Sequence, residues 1–156
     1  MLSTFRLLPG LALAMLLFLF GCSVQPVNAM NPHGIKSIGM WLLPPDSGMA
    51  FCSFDIDGAM HSGHMSGDPV PFVHEDRGNA SRAAIEEIWQ AGAAAVEAGW
   101  LVAGGVGAKQ GNNRIYVVLE DGRELSVSWP FQGEAPSPQV KRLGDLIEKH
   151  HLPGSW

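Results

Sequence analysis

Residues 114–131, Arg-Ile-Tyr-Val-Val-Leu-Glu-Asp-Gly-Arg-Glu-Leu-Ser-Val-Ser-Trp-Pro-Phe, decide the fold class. Two runs rich in β-branched and aromatic residues flank Asp121-Gly122, a dipeptide suited to a tight turn, so the stretch predicts a β-hairpin. Two registers are open. If Asp121-Gly122 alone make the turn, Val118 lies opposite Leu125 and Tyr116 opposite Val127. If Glu120-Asp121-Gly122 make it, with Gly122 left-handed, Val117 faces Leu125 and Ile115 faces Val127. The three-residue loop is preferred because it gathers Ile115, Val117, Leu125, Val127 and Trp129 on one face and leaves Ser126 and Ser128 on the other. A sheet with one apolar face needs a cover, and a helix follows directly. Ser137-Pro138 suits its first turn, Val140, Leu143, Leu146 and Ile147 form its apolar stripe, and Lys149, His150 and His151 sit at its negative end before Pro153-Gly154 stops it.

Working back toward the N-terminus, Ile35 to Leu43 read as a first strand closed by Pro44-Pro45-Asp46-Ser47-Gly48. In Met49 to Ile56, Ala50, Cys52, Phe54 and Ile56 alternate with Ser53 and Asp55, the period of a half-buried strand. Asp57-Gly58 then turns the chain into a third strand, Ala59 to Met65. Residues 66–78 are polar and carry Pro69 and Pro71, so they read as a connection to a long helix. Asn79 or Ser81 caps that helix, Glu86 and Glu87 lie early in it, and Ile85, Ile88, Trp89, Gly92 and Val96 form its stripe. Gly99 is its stop, with Trp100 and Leu101 packing back on the last turn. The expected fold class is α+β: an antiparallel sheet of about five strands, βββ-α-ββ-α, packed on one side by two helices. Trp41, Trp89, Trp100 and Trp129 are all expected in the core.

The 156 residues carry 10 basic and 15 acidic side chains, a formal charge of −5. That balance argues against nucleic acid or an anionic lipid surface as a ligand, since both need clustered Lys and Arg. Arg6 is followed by an almost uninterrupted apolar run, Leu7 to Phe20. It is too short to span a bilayer comfortably, but it matches the apolar region of a secretory signal. At its end, Leu19-Phe20-Gly21-Cys22 resembles the lipobox of bacterial lipoproteins. The resemblance implies removal of residues 1–21, diacylglycerol on the Cys22 thiol and an acyl chain such as palmitate on its new amine. Ser23 after the cysteine is the pattern of lipoproteins sent to the outer membrane, facing the periplasm. A competing cut after Val27-Asn28-Ala29 would instead release a soluble periplasmic protein starting at Met30. Residues 22–33 then form a flexible tether and 34–156 a single domain. With Cys22 lipidated, Cys52 has no disulfide partner, and its apolar strand face predicts a buried, inert thiol.

Few runs suggest chemistry. Met60-His61-Ser62-Gly63-His64-Met65 offers thioethers and imidazoles, the ligands of a soft ion such as copper. Along an extended strand His61 and His64 point to opposite faces, so one ion needs a bend at Ser62-Gly63. His33, His74, Glu75 and the pair His150-His151 are the residues that would complete such a site. Asp55-Ile56-Asp57-Gly58 echoes a calcium loop but puts Ser53 and His64 where oxygen ligands are needed, so a hairpin turn is the better reading. Gly104-Gly105-Val106-Gly107-Ala108-Lys109 lacks the Gly-Lys-Ser/Thr ending of a phosphate loop and reads as a binding loop or linker. Ser62, His74 and Asp76 name a triad only by residue type.

The element order, with Asp121-Gly122-Arg123 between the last strands and Pro136 leading into the final helix, resembles the small bacterial emfourin-type protease inhibitors from about Gly34 to Lys149. No inhibitory residue carries over. The expectation is a non-catalytic, membrane-anchored domain with a protein ligand, such as an inhibitor or immunity protein. It needs no cofactor beyond the lipid on Cys22, and copper enters only in an alternative reading. A structural envelope lipoprotein is a further alternative.

Overall fold

The computed structural model describes residues 31–45, 48–66, 72–104 and 111–151. Residues 1–30, with the expected signal and Cys22, lie outside the described residues, as do Gly105, Gly107 and Lys109 of the glycine-rich run. In chain order the elements are β1 (Ile35–Leu43), β2 (Met49–Asp55), β3 (Ala59–Ser66), β4 (Phe72–Asn79), α1 (Arg82–Glu97), β5 (Val102–Ala103), β6 (Asn112–Leu119), β7 (Glu124–Pro130) and α2 (Pro138–His150). The strands form one antiparallel sheet in the order β4-β3-β2-β1-β6-β7-β5. Among the described residues no helix is long and apolar enough to cross a membrane.

The α+β class is as expected, but the described sheet has seven strands rather than about five. The expected connection at 66–78 contains β4, which pairs with β3 from Ala59↔Asn79 to Ser66↔Phe72. Its sequence, Phe-Val-His-Glu-Asp-Arg-Gly-Asn, has no apolar alternation because it is an edge, where charged side chains discourage pairing with other chains. At the opposite edge, β5 is only two residues long and adds to β7.

β1 and β6, far apart in sequence, meet at the centre of the sheet with Met40↔Ile115 and Ile38↔Val117 in register. The β6–β7 hairpin adopts the three-residue loop, with Ile115↔Val127 and Val117↔Leu125 paired and Gly122 at φ +84. Both helices cover the resulting face. Ile38, Met40, Cys52, Phe54, Ile115 and Val117 are buried against Ile88, Trp89, Leu143 and Ile147. Trp89 also donates its indole N–H to the Ile35 carbonyl at 3.2 Å, an acceptor it shares with the Asn31 side-chain amide at 2.9 Å, so the buried indole donor is satisfied. Where α1 crosses β1, Gly92 leaves room for the sheet: a Cβ there would stand 2.6 Å from Ile38 Cδ1.

The helix ends follow local chemistry. Ser81, not Asn79, caps α1 by accepting from the Ala84 N–H, and the first turn holds no acidic residue, since Glu86 and Glu87 fall one turn in. At its end the N–H groups of Gly99 and Trp100 bond the Val96 and Ala95 carbonyls, with Gly99 at φ +75, the pairing that turns a chain out of a helix. Leu101 returns to the core, but Trp100 remains 39% exposed and Ile56, beyond the end of β2, 37% exposed, so neither joins it. Ser137 caps α2 through the Val140 N–H at 3.1 Å with Pro138 in the first turn.

Candidate functional site

Cross-strand pairing assigns every strand residue to one of two faces, because directly opposed residues point the same way. On the side away from the helices, Phe51, Trp41, Arg114 and Ser128 form one row across β2, β1, β6 and β7. Ser53, Gly39, Tyr116 and Ser126 form the next. Trp41 therefore lies outside the core, half-buried on this second face. Its ring sits 5.1 Å from Phe51 and 6.5 Å from Tyr116, both tilted, within the range of favourable aromatic pairs.

Gly39 is what lets the strip lie flat. A Cβ there would be 2.4 Å from the Tyr116 ring, so the phenol occupies the space a side chain would need. An aromatic ring over a strand glycine compensates for the missing cross-strand contact. Burial pushes the Tyr116 hydroxyl up to about 12, partly opposed by its hydrogen bond with Ser53.

Arg114 lies beside the strip with its side chain 14% exposed. Its Nη2 donates to Glu124 and, at 3.2 Å, to Ser126. Its Nε and the neighbouring Ser128 hydroxyl are buried without hydrogen-bond partners. On the β3–β4 side of the same face, Glu75 accepts from Arg77 at 3.2 Å and meets His61 Nδ1 at 3.4 Å. The hydrogen bond with His61, then the Arg77 charge, hold the Glu75 carboxyl below the usual carboxylate range.

The histidine and methionine run does not converge. β3 keeps an unbroken register with β2, which sends His61 to the aromatic face and His64, with Met60, to the helix face. No bend at Ser62-Gly63 brings the imidazoles together, and Met60 is buried in the core. Met65 shares a face with His61. His150 stands 3.4 Å from Glu87 at the seam between the helices, where it and Lys149 hold that carboxyl below its usual range, Lys149 contributing more. Among the described residues no group of three or more His, Cys, Asp or Glu side chains is placed to hold a metal ion.

Register does bring part of the nominal triad together. Ser62 lies opposite Asp76, and His74 opposite His64 in the adjacent row. The Ser62 hydroxyl is fully buried, however, so no substrate reaches it. Cys52 is likewise fully buried, and burial pushes its thiol up to about 12. An un-ionised, enclosed thiol is a poor nucleophile.

On the helix side, a cleft of about 630 Å³ lies between α2 and residues of β1, β6 and β7. Met40, Leu42 and Trp129 form its floor, α2 one wall, and the connection from Gly133 to Ser137 another. Asn113, where the alternation of β6 calls for an apolar residue, lines it too. No protein-family model matches the chain, and no curated protein is significantly similar to it in sequence.

Proposed function

We propose that the chain is an exported lipoprotein, modified at Cys22 and held at the outer membrane facing the periplasm, whose domain binds a protein partner without catalysis. The export and lipobox patterns of residues 1–22 support the location. One observation carries the binding role: Phe51, Trp41 and Tyr116 lie side by side with Arg114 on a sheet face that no described helix covers. Tryptophan, tyrosine and arginine dominate binding hot spots, because each brings large area or several donors at modest entropic cost. Arg114, its side chain 14% exposed, brings a guanidinium to the edge of the strip. The occluded Cys52 and Ser62 favour binding over covalent chemistry. A periplasmic inhibitor or immunity protein fits this arrangement, in keeping with the emfourin-like element order.

The anchor and the binding role are tested separately. Intact mass of the membrane fraction should give a lipid-modified terminus at Cys22, and Cys22→Ala should release the chain; an unmodified protein starting at Met30 would remove the anchor. For binding, envelope extract is passed over wild type and over Trp41→Ala with Tyr116→Ala. A stoichiometric partner retained by the first and lost by the second, at unchanged circular dichroism, is expected. Equal retention by both, or none, refutes this face as the site.

A further inference from the structure

The aromatic face leaves the cleft under α2 unused, and its construction points to a ligand of a different kind. Asn113 interrupts the core-facing series that continues through Ile115, Val117 and Leu119, and only 8% of it is exposed. Its Nδ2 donates to the Phe131 carbonyl at 3.1 Å, which fixes the orientation of the amide, because a flip would set oxygen against oxygen. Oδ1 is then a buried acceptor with no partner. Leu42 and Trp129, its neighbours on either side, are apolar, and both line the cleft with it. A buried polar group left unsatisfied is costly, so such groups are commonly completed by what binds them.

The rim has one sign. Glu134, Asp145 and Glu148 border the cleft with a single base, Lys141, whose ammonium is already bound by Asp145 at 2.7 and 2.8 Å. Two carboxylates remain to meet a cation. The volume falls within the range of roughly 300–1,000 Å³ common to small-molecule sites.

We propose that this cleft binds a small aromatic amine: a flat apolar ring on Met40, Leu42 and Trp129, an N–H donor on the ring given to Asn113 Oδ1, and an ammonium group beside one of the two rim carboxylates, Glu134 or Glu148. The site is independent of the protein-binding face, so Trp41→Ala leaves it intact.

Tryptamine carries all three features and serves as the probe, titrated into the ¹⁵N-labelled full chain in lipid nanodiscs, with empty nanodiscs correcting for partition. Saturable shifts at the Asn113 side-chain amide and the Gly144 N–H are expected. 1-Methyltryptamine, which lacks the ring donor, and indole-3-propionate, which reverses the charge, should each bind about tenfold more weakly. Because Asn113 also anchors Phe131, the protein variant is chosen at the exposed rim. Glu134→Gln with Glu148→Gln should weaken tryptamine several-fold at low salt while leaving neutral 3-methylindole unchanged. No saturable shift at Asn113 and Gly144, equal binding of the methylated probe, or rim variants that do not separate tryptamine from 3-methylindole would each overturn the proposal.

Discussion

Gly39→Ala is the smallest change that should dismantle the aromatic strip. An added methyl would stand 2.4 Å from Cζ and the hydroxyl oxygen of Tyr116 and 2.7 Å from Cε1. Carbon atoms rest comfortably at about 3.5–4.0 Å, so the ring must retreat by roughly 1 Å or more. Trp41, 6.5 Å away, blocks one lateral path, which leaves a swing outward from the sheet. Overpacking of this kind costs about 1–3 kcal/mol, offset by about 0.5–1 kcal/mol as alanine replaces glycine in a strand. The net loss is then about 1 kcal/mol, within a range of about 0–2.5 kcal/mol, or ~4 °C in Tm. The chain has 1 tyrosine, so its ionisation can be read directly from tyrosinate absorbance after a rapid pH jump, before unfolding. In the wild type Tyr116 should ionise near 12, because burial raises it. The folded value lies above the unfolded value of about 10. The stabilisation from the buried neutral phenol is therefore present below pH 10 and lost as pH rises toward 12, on the order of 2–3 kcal/mol. In Gly39→Ala the ionisation should fall toward 10. A wild-type phenol that ionises near 10 while folded, or a variant with unchanged titration and stability, would refute the reasoning.

Three further outcomes test the frame that carries these surfaces. Trp89→Phe leaves a void under α1 while the Asn31 amide still holds the Ile35 carbonyl, so urea titration should show a loss of about 1–3 kcal/mol, chiefly from the void; no loss would mean that the indole is not packed as the structure has it. Ser137→Ala removes the cap of α2 at a buried position and should cost about 1–2 kcal/mol by the same assay, whereas Ser81→Ala, at an exposed cap, should cost less. Cys52 should resist a thiol reagent at pH 8 until denaturant is added, and prompt labelling of the native protein would contradict its burial.

Much of the frame was legible locally. The β6–β7 register followed from apolar alternation around Asp121-Gly122, since a one-residue slip would set Ile115 and Val117 on the face opposite Leu125. The start of α2 followed from Ser137-Pro138 and an apolar stripe. The polar edge strand β4 was not legible, because its pairing rests on backbone bonds to β3 and its side chains carry no period. Trp41 was expected in the core because β1 is apolar on both faces, and alternation cannot then say which face is inside. The aromatic strip and the cleft are products of topology. Trp41 meets Tyr116 and Arg114 only through the β1–β6 pairing, and Asn113 gains its apolar neighbours from β1 and β7. No local pattern announces contacts that separate parts of the chain make together.

The binding role of the aromatic face is tested most directly by a photo-crosslinking residue at Ser53, between Phe51 and the Tyr116 ring, in the full-length protein inside the cells that produce it. A single discrete adduct is predicted, lost when Trp41→Ala is added and absent when the crosslinker stands instead at Glu97 on α1. No adduct from position 53, or the same adducts from both positions with Trp41→Ala making no difference, would contradict the account.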